Sequence, residues 1–210
     1  EENRFDKYHE KADRIYRISS DVTEPDDAFR WAVTQPPLAM QLKQDYPEVE
    51  QYVRFIPNDR TRFQRGETDQ NYFFEDNVYL VDSTVFEVFT FNLLQGAPSS
   101  ALREPSSIVL SNSAAKRIFG NDDPMGEYLR TSADRRYKVT GVYEDMPQYS
   151  HIIANAMISS NTFPGLSEPS SFSWGNFGIY SYVLLKPGTD VKAFEAKLSE
   201  VIDKYVAVIF

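Results

Sequence analysis

The chain has 210 residues, 25% charged and 41% hydrophobic, with a formal charge of −9 and no cysteine. That length supports one large domain or two small ones around a buried core, and 15 Phe with 13 Tyr exclude a disordered or low-complexity chain. Absence of cysteine removes disulfides, thiolate zinc sites and cysteine nucleophiles, and the negative charge argues against a nucleic-acid partner, which needs a concentrated positive field.

Phe5, Tyr8, Ala12 and Ile15 recur at helical spacing and predict a short amphipathic helix over residues 4–14. Residues 15–22 alternate and are β-branched, as in a strand. The turn cluster at 23–27 and the run 29–34 then predict an antiparallel return, giving a hairpin. Thr34 is expected to cap a helix whose first turn holds Pro36 and Pro37, whose apolar face carries Leu38, Leu42 and Tyr46, and which ends before Pro47. A strand follows at 51–56.

Between about 60 and 150 the pattern becomes β-rich. Strand-like runs at 62–65, 72–75, 78–81, 107–110 and 137–143 are separated by turn signals, as in a mainly antiparallel sheet. One helix is predicted at 112–119, with Ser111 or Asn112 as cap and Gly120 as a left-handed C-terminal residue. Loops rich in Ser and Pro occupy 97–107 and 164–173. Residues 152–159 and 179–185 read as strands, Pro187-Gly188 as a turn, and Thr189 or Asp190 as the cap of a final helix. That helix carries Val191, Phe194, Leu198, Val201, Ile202 and Tyr205 as one apolar stripe. The fold class is α+β, a β-rich segment set between two βα-type portions. No stretch approaches the ~20 apolar residues that span a bilayer, so a soluble acidic domain is expected. With Glu1 first and no basic-then-apolar segment behind it, an excised or processed piece of a longer protein is expected.

Chemistry-bearing motifs are scarce. Of the two histidines, His9 beside Glu10 is expected on the solvated side of the first helix, and His151 as a turn residue bonded to backbone. They lack the close spacing of a metal-binding pair. There is no Gly-x-Ser-x-Gly elbow, no phosphate-cradling Gly-rich loop and no dinucleotide fingerprint. The carboxylates at Asp21, Glu24, Asp26 and Asp27, at Asp122-Asp123 and at Glu144-Asp145 read as turns or solvated faces, since calcium-loop spacing is missing. No catalytic, cofactor-binding or metal residue is assigned. The aromatic crowding at 73–91 reads as core packing. The Gly- and Ser-flanked aromatics of 170–178 look instead like a contact surface, with Phe172, Trp174, Phe177 and Tyr180 as candidate partner-contact residues.

Several strings carry a resemblance. They are residues 5–17 (FDKYHEKADRIYR), 82–89 (DSTVFEVF) followed by 91–96 (FNLLQG), and 107–111 (SIVLS) leading into 114–120 (AAKRIFG). Asp123-Pro124-Met125-Gly126, residues 139–147 (VTGVYEDMP) and Ser150-His151-Ile152 complete the series. In order and spacing the set resembles the MacB-like periplasmic core domain of bacterial ABC-transporter permeases, over nearly the whole chain. The resemblance implies a non-enzymatic domain without cofactor, on the outer side of the bacterial cytoplasmic membrane, between the first and second transmembrane helices of a four-helix permease. It implies a porter-like part split in sequence, residues 1–60 and 151–210, with an inserted β-rich sabre-like part at 61–150.

Implied partners are the protein's own transmembrane helices, a cytoplasmic ABC ATPase, a second permease copy, and a periplasmic adaptor or substrate protein. The implied role is to convert ATP-driven dimerisation into movement outside the membrane, for export or force transmission. Residues 4–14 and the helix from Asp190 would then be the two mechanical connections. The alternative is a stand-alone periplasmic ligand- or peptide-binding module whose aromatic loop at 172–182 holds the ligand, with a hydrolase as a more distant third.

Overall fold

In a computed structural model the described residues are 8–24, 27–58, 60–66, 70–147, 149–166 and 174–206. The fold follows from where apolar runs are continuous and where they alternate. Strands β9 (Ser107–Ser111), β12 (Ala156–Ser159) and β13 (Tyr180–Leu185) are buried along almost every residue, as strands covered on both faces must be. By contrast β5 (Thr61–Arg65), β6 (Tyr72–Glu75) and the first half of β11 (Arg136–Tyr143) alternate between buried and exposed, so one of their faces meets water. With β1 (Ile15–Ile18), β4 (Val49–Pro57), β7 (Val78–Val81) and β10 (Tyr128–Thr131) they form one mixed sheet, in the order β1-β13-β4-β7-β12-β9-β11-β10-β5-β6. The short β8 (Leu93–Gln95) joins it by pairing with β11. The pairs β7–β12 and β9–β11 are parallel and the others antiparallel. A separate hairpin of β2 (Ser20–Glu24) and β3 (Asp27–Trp31) forms near the predicted one, but the predicted strand over 15–22 is broken at Ser19: Ile15–Ile18 pairs with β13, and only the part from Ser20 enters the hairpin.

Helices cover one face. α1 (Leu38–Asp45) and α4 (Val191–Val201) pack Leu42, Phe194 and Val201 against Val49, Val183 and Leu185. Further along, α3 (Asn112–Phe119) lays Ala114, Ala115, Ile118 and Phe119 over Ile108, Leu110, Val139 and Ile158. The other face is covered by less regular chain. The short α2 (Val85–Val88), Phe89, Phe91, Ala101, Leu102, Ile152 and Ala154 pack on Val53, Phe55, Val81, Met157 and Tyr182. Every apolar side chain named here is at least nine-tenths buried.

Capping follows the sequence in part. The Ser111 hydroxyl accepts the Ala114 amide at 3.2 Å and starts α3, and Asp190 accepts the amides of Lys192 and Ala193 at the head of α4. Gly120 ends α3 with φ 63° but ψ −116°, a positive φ outside the left-handed helical basin expected of it. Beyond α4 the chain continues through a wider π-helical turn, Ile202–Val206.

Three further expectations need correction. Residues 8–14 are successive turns and not a helix, closed by i→i+3 bonds from Ala12 to His9 and from Arg14 to Lys11. Their other donors are taken by distant groups, since the Glu10 amide bonds Thr90 and Lys11 bonds the Glu87 carbonyl. Residues 4–7 of that prediction lie outside the described residues. Thr34 caps no helix: it bridges to Ile179 and its hydroxyl meets that of Ser181 at 2.7 Å, which leaves Pro37 at the N-terminus of α1. The strand expected over 152–159 begins only at Ala156, because Ala154 spends its carbonyl on the Tyr143 hydroxyl and its amide on the Met146 sulfur.

Candidate functional site

On the irregularly covered face, the cover stops short of the β1–β13–β4–β7 region. There a cleft of about 270 Å³ is lined by Arg17, Ala32, Phe55, Tyr79, His151, Ile152, Tyr180 and Tyr182. Register explains how residues so far apart in sequence meet. Arg17 lies opposite Tyr182 across β1–β13, and Phe55 opposite both Tyr180 and Val81 across β4. Cross-strand partners share a face, so one aromatic set projects to one side.

The floor is Phe55, fully buried, with the rings of Tyr79 and Tyr182 edge-on to it at 5.9 Å each. Edge-to-face packing of this kind fixes ring orientation beyond the area it buries. The Tyr182 hydroxyl and His151 Nε2 are 2.7 Å apart. Tyr143, on the same face, donates to the Ala154 carbonyl at 2.8 Å. Tyr79 and Tyr180 differ: neither hydroxyl has a hydrogen-bond partner among the described residues, and neither has the exposed Arg17 guanidinium. Burial raises the Tyr79 hydroxyl above its ordinary value, with a smaller push from nearby Tyr180.

The predicted contact residues are placed differently from one another. Phe172 lies outside the described residues. Trp174 stacks nearly parallel on Tyr205, with centroids 5.1 Å apart, and packs with the α1–α4 cluster. Phe177 is 39% exposed and meets the 40% exposed Trp31 edge-on at 5.3 Å. Tyr180 lines the cleft. Nothing local in the sequence groups Arg17, Tyr79, Tyr182 and Trp31. The only signal was the alternation of their strands, and it cannot say which strands become neighbours.

His9 sits elsewhere than expected, and His151 lies at an exposed bend as expected but with a side-chain partner the sequence did not indicate. His9 is 4% exposed, ringed by Tyr8, Phe89 and Phe91, and its Nδ1 accepts the Thr90 amide at 3.1 Å. The helix that would have held it at the surface does not form, and its imidazole instead pins the 8–14 segment to the residue after Phe89. His151 meets a side-chain hydroxyl, that of Tyr182, at the edge of the cleft.

The carboxylate clusters serve local structure. Asp21 pairs with Arg30, Asp122 with Arg65, and Asp145 accepts the amide and hydroxyl of Ser113 near the start of α3. Among the described residues no three His, Asp or Glu side chains come together as a metal-holding group. Among the described residues the one deeply buried ion pair is on the helical face. Asp82 receives two guanidinium bonds from Arg54, at 2.7 and 2.9 Å, plus the Arg54 amide and the Ser160 hydroxyl. Arg54 also donates to the carbonyls of Pro36 and Leu166. Burial opposes its charge, but the Asp82 bonds outweigh that and hold the guanidinium above its ordinary value.

Comparison with known proteins gives one family. The family described as MacB-like periplasmic core domain matches residues 1–201. Among solved structures, a domain of an assigned permease from Porphyromonas gingivalis superposes with a TM-score of 0.77 at 22% identity, over 94% of this chain and 83% of that one. The periplasmic region of MacB from Actinobacillus actinomycetemcomitans gives 0.60 at 20% identity, over 81% and 73%. The extracellular domain of the noncanonic ABC-type transporter YknZ from Gram-positive bacteria gives 0.54 at 16%, over 85% and 86%. No curated protein matches the chain in sequence. At these identities the structural likeness establishes the mixed α/β fold.

Proposed function

The chain belongs to the MacB-like periplasmic core domain family, a domain of ABC-transporter permeases, and from that premise we propose that it passes ATP-driven motion to the outer side of the membrane and catalyses no reaction. No helix among the described residues is long and apolar enough to cross a membrane. In this reading the membrane connections lie with flanking permease helices, and the ATPase with a cytoplasmic partner.

One observation carries the mechanical reading. The chain comes into the sheet at Ile15 directly beside the point where it leaves at Leu185. The Leu185 amide donates to the Arg14 carbonyl at 2.9 Å, and Arg14 Nη1 reaches back to the Leu185 carbonyl at 2.7 Å and to Glu50 at 2.6 Å. Two connections that meet the sheet at one point move together, so a shift in one is carried into β1, β13 and β4 as a rigid unit. Residues 8–14 then run onto the irregularly covered face and α4 onto the helical face, clasping that edge from both sides. Phe5 and Phe210, the outer limits of the two proposed connections, lie outside the described residues.

The proposal also takes the split porter-like part (1–60 and 151–210) around the inserted part (61–150), a dimeric permease, and export or force transmission as the output. Its test uses the full-length permease with its ATPase. Hydrophobic segments of ~20 residues should flank this domain, one before and three after. A flexible Gly-Ser insertion at Pro187-Gly188 should leave ATP hydrolysis intact while abolishing transport or signalling. Full output from the insertion variant overturns the coupling role. The cleft favours a second reading, in which the domain binds a ligand outside the membrane. It is compatible with the first if ligand and motion are coupled.

A further inference from the structure

We propose that the cleft between β1, β4, β7 and β13 is a binding site for a small carboxylate on a flat, apolar body. This goes beyond the transporter reading and does not depend on it. The fully buried tyrosines of this face, Tyr143 and Tyr182, have their hydroxyls paired within the protein, whereas Tyr79 and Tyr180 are half-buried and line the open cleft. The hydroxyls of Tyr79 and Tyr180 have no such partner, and Arg17 at the cleft's rim has no carboxylate partner, among the described residues. Arginine offers donors only, and a phenol readily donates. Three side chains with unused donors thus line one cavity, which suits an acceptor, and a single guanidinium suits a single negative charge. Of the other lining residues Phe55, Ile152 and Ala32 are apolar, while the Tyr182 hydroxyl and His151 Nε2 meet each other at 2.7 Å. The Phe55 ring, held by Tyr79 and Tyr182, gives a preoriented platform for a planar group.

Size narrows the class. The cleft of about 270 Å³ equals the liquid volume of about nine water molecules at ~30 Å³ each. That admits a one-ring or two-ring carboxylate and excludes a folded partner or a long chain lying wholly inside. The charge of the protein sharpens the point. In a chain of net −9 an anion is repelled in general, so the anion must be recognised locally, through Arg17.

The test is calorimetric titration of the intact chain with 2-naphthoate and with its neutral twin, 2-naphthalenemethanol. The carboxylate should bind at least about tenfold more tightly, as expected of one charge-assisted contact. Arg17→Gln should bring the two to within about twofold of each other, and Tyr79→Phe with Tyr180→Phe should weaken the carboxylate several-fold. Arg17 is exposed on β1, so the melting temperature of Arg17→Gln should match that of the parent, separating lost binding from lost folding. Equal affinity for acid and alcohol, an unchanged affinity in Arg17→Gln, or no saturation at millimolar concentration each overturns the proposal. None of these outcomes bears on the flanking-helix and insertion tests of the permease role.

Discussion

Arg54 and Phe55 are consecutive in β4, and because successive side chains of a strand point to opposite faces they open onto two differently finished sides of one sheet. On the helical side, Arg54 has its guanidinium matched to Asp82 and to two carbonyls, and the cluster is closed to water. On the other side Phe55 floors a cleft whose rim holds the unused donors of Arg17, Tyr79 and Tyr180. A closed polar cluster serves architecture, since every group in it is already spent. An open one with spare donors is free to take something else. The same strand therefore carries a structural clamp and a candidate recognition surface one residue apart.

The contrast can be broken most severely at Asp82. Asp82→Ala leaves the buried Arg54 charge without its partner and should cost about 3–5 kcal/mol, read as a drop in the urea midpoint. A loss below about 1 kcal/mol would mean that water reaches the guanidinium and that the two faces are alike. A smaller effect is expected at the boundary. Tyr182→Phe removes the hydroxyl that meets His151 at 2.7 Å and should cost about 1 kcal/mol, with greater mobility of the 149–155 segment by hydrogen exchange.

The smallest effect concerns the end of the helical face. Partial burial pushes the Asp45 carboxyl up, but bonds from Tyr205, Lys204 and Gln41 outweigh this and hold it below its ordinary 3.8. A group whose folded value is depressed stabilises the fold above its unfolded value and loses that contribution as pH falls through the folded one. Asp45 should therefore support stability above pH 3.8 and lose that support progressively below it. Asp45→Asn should flatten that acid limb by less than about 1 kcal/mol in acid titrations of stability. A limb unchanged in Asp45→Asn would show that the tie between α1 and the last turn contributes nothing.

How much could be read in advance depends on where each residue's partners lie. The strands at 72–75 and 78–81 and α3 with its Ser111 cap are set by neighbours within a few residues, and the sequence placed them well. The 8–14 segment has the spacing of a helix. Its Tyr8, His9, Glu10 and Lys11 are instead claimed by Ser150, Thr90 and the Glu87 carbonyl, distant groups that outbid a short, marginal helix. Thr34 has the chemistry of a cap but meets Ser181, across nearly the whole chain. The resemblance carried by ordered strings such as 82–89 and 139–147 identified the family, which the match over residues 1–201 confirms. It said nothing about the cleft.

Length and a charge of −9 with no cysteine narrowed the chemistry at the outset, and apolar runs marked the strands at 107–110 and 179–185, whose burial on both faces the structure adds. These are properties of single segments, decided by composition and period. Sheet order, and with it the meeting of Arg17, Phe55, Tyr79, Tyr180 and Tyr182 around one cavity, belongs to the tertiary structure alone. Side-chain period tells a strand which of its residues share a face, but only pairing with other strands tells that face what it will see.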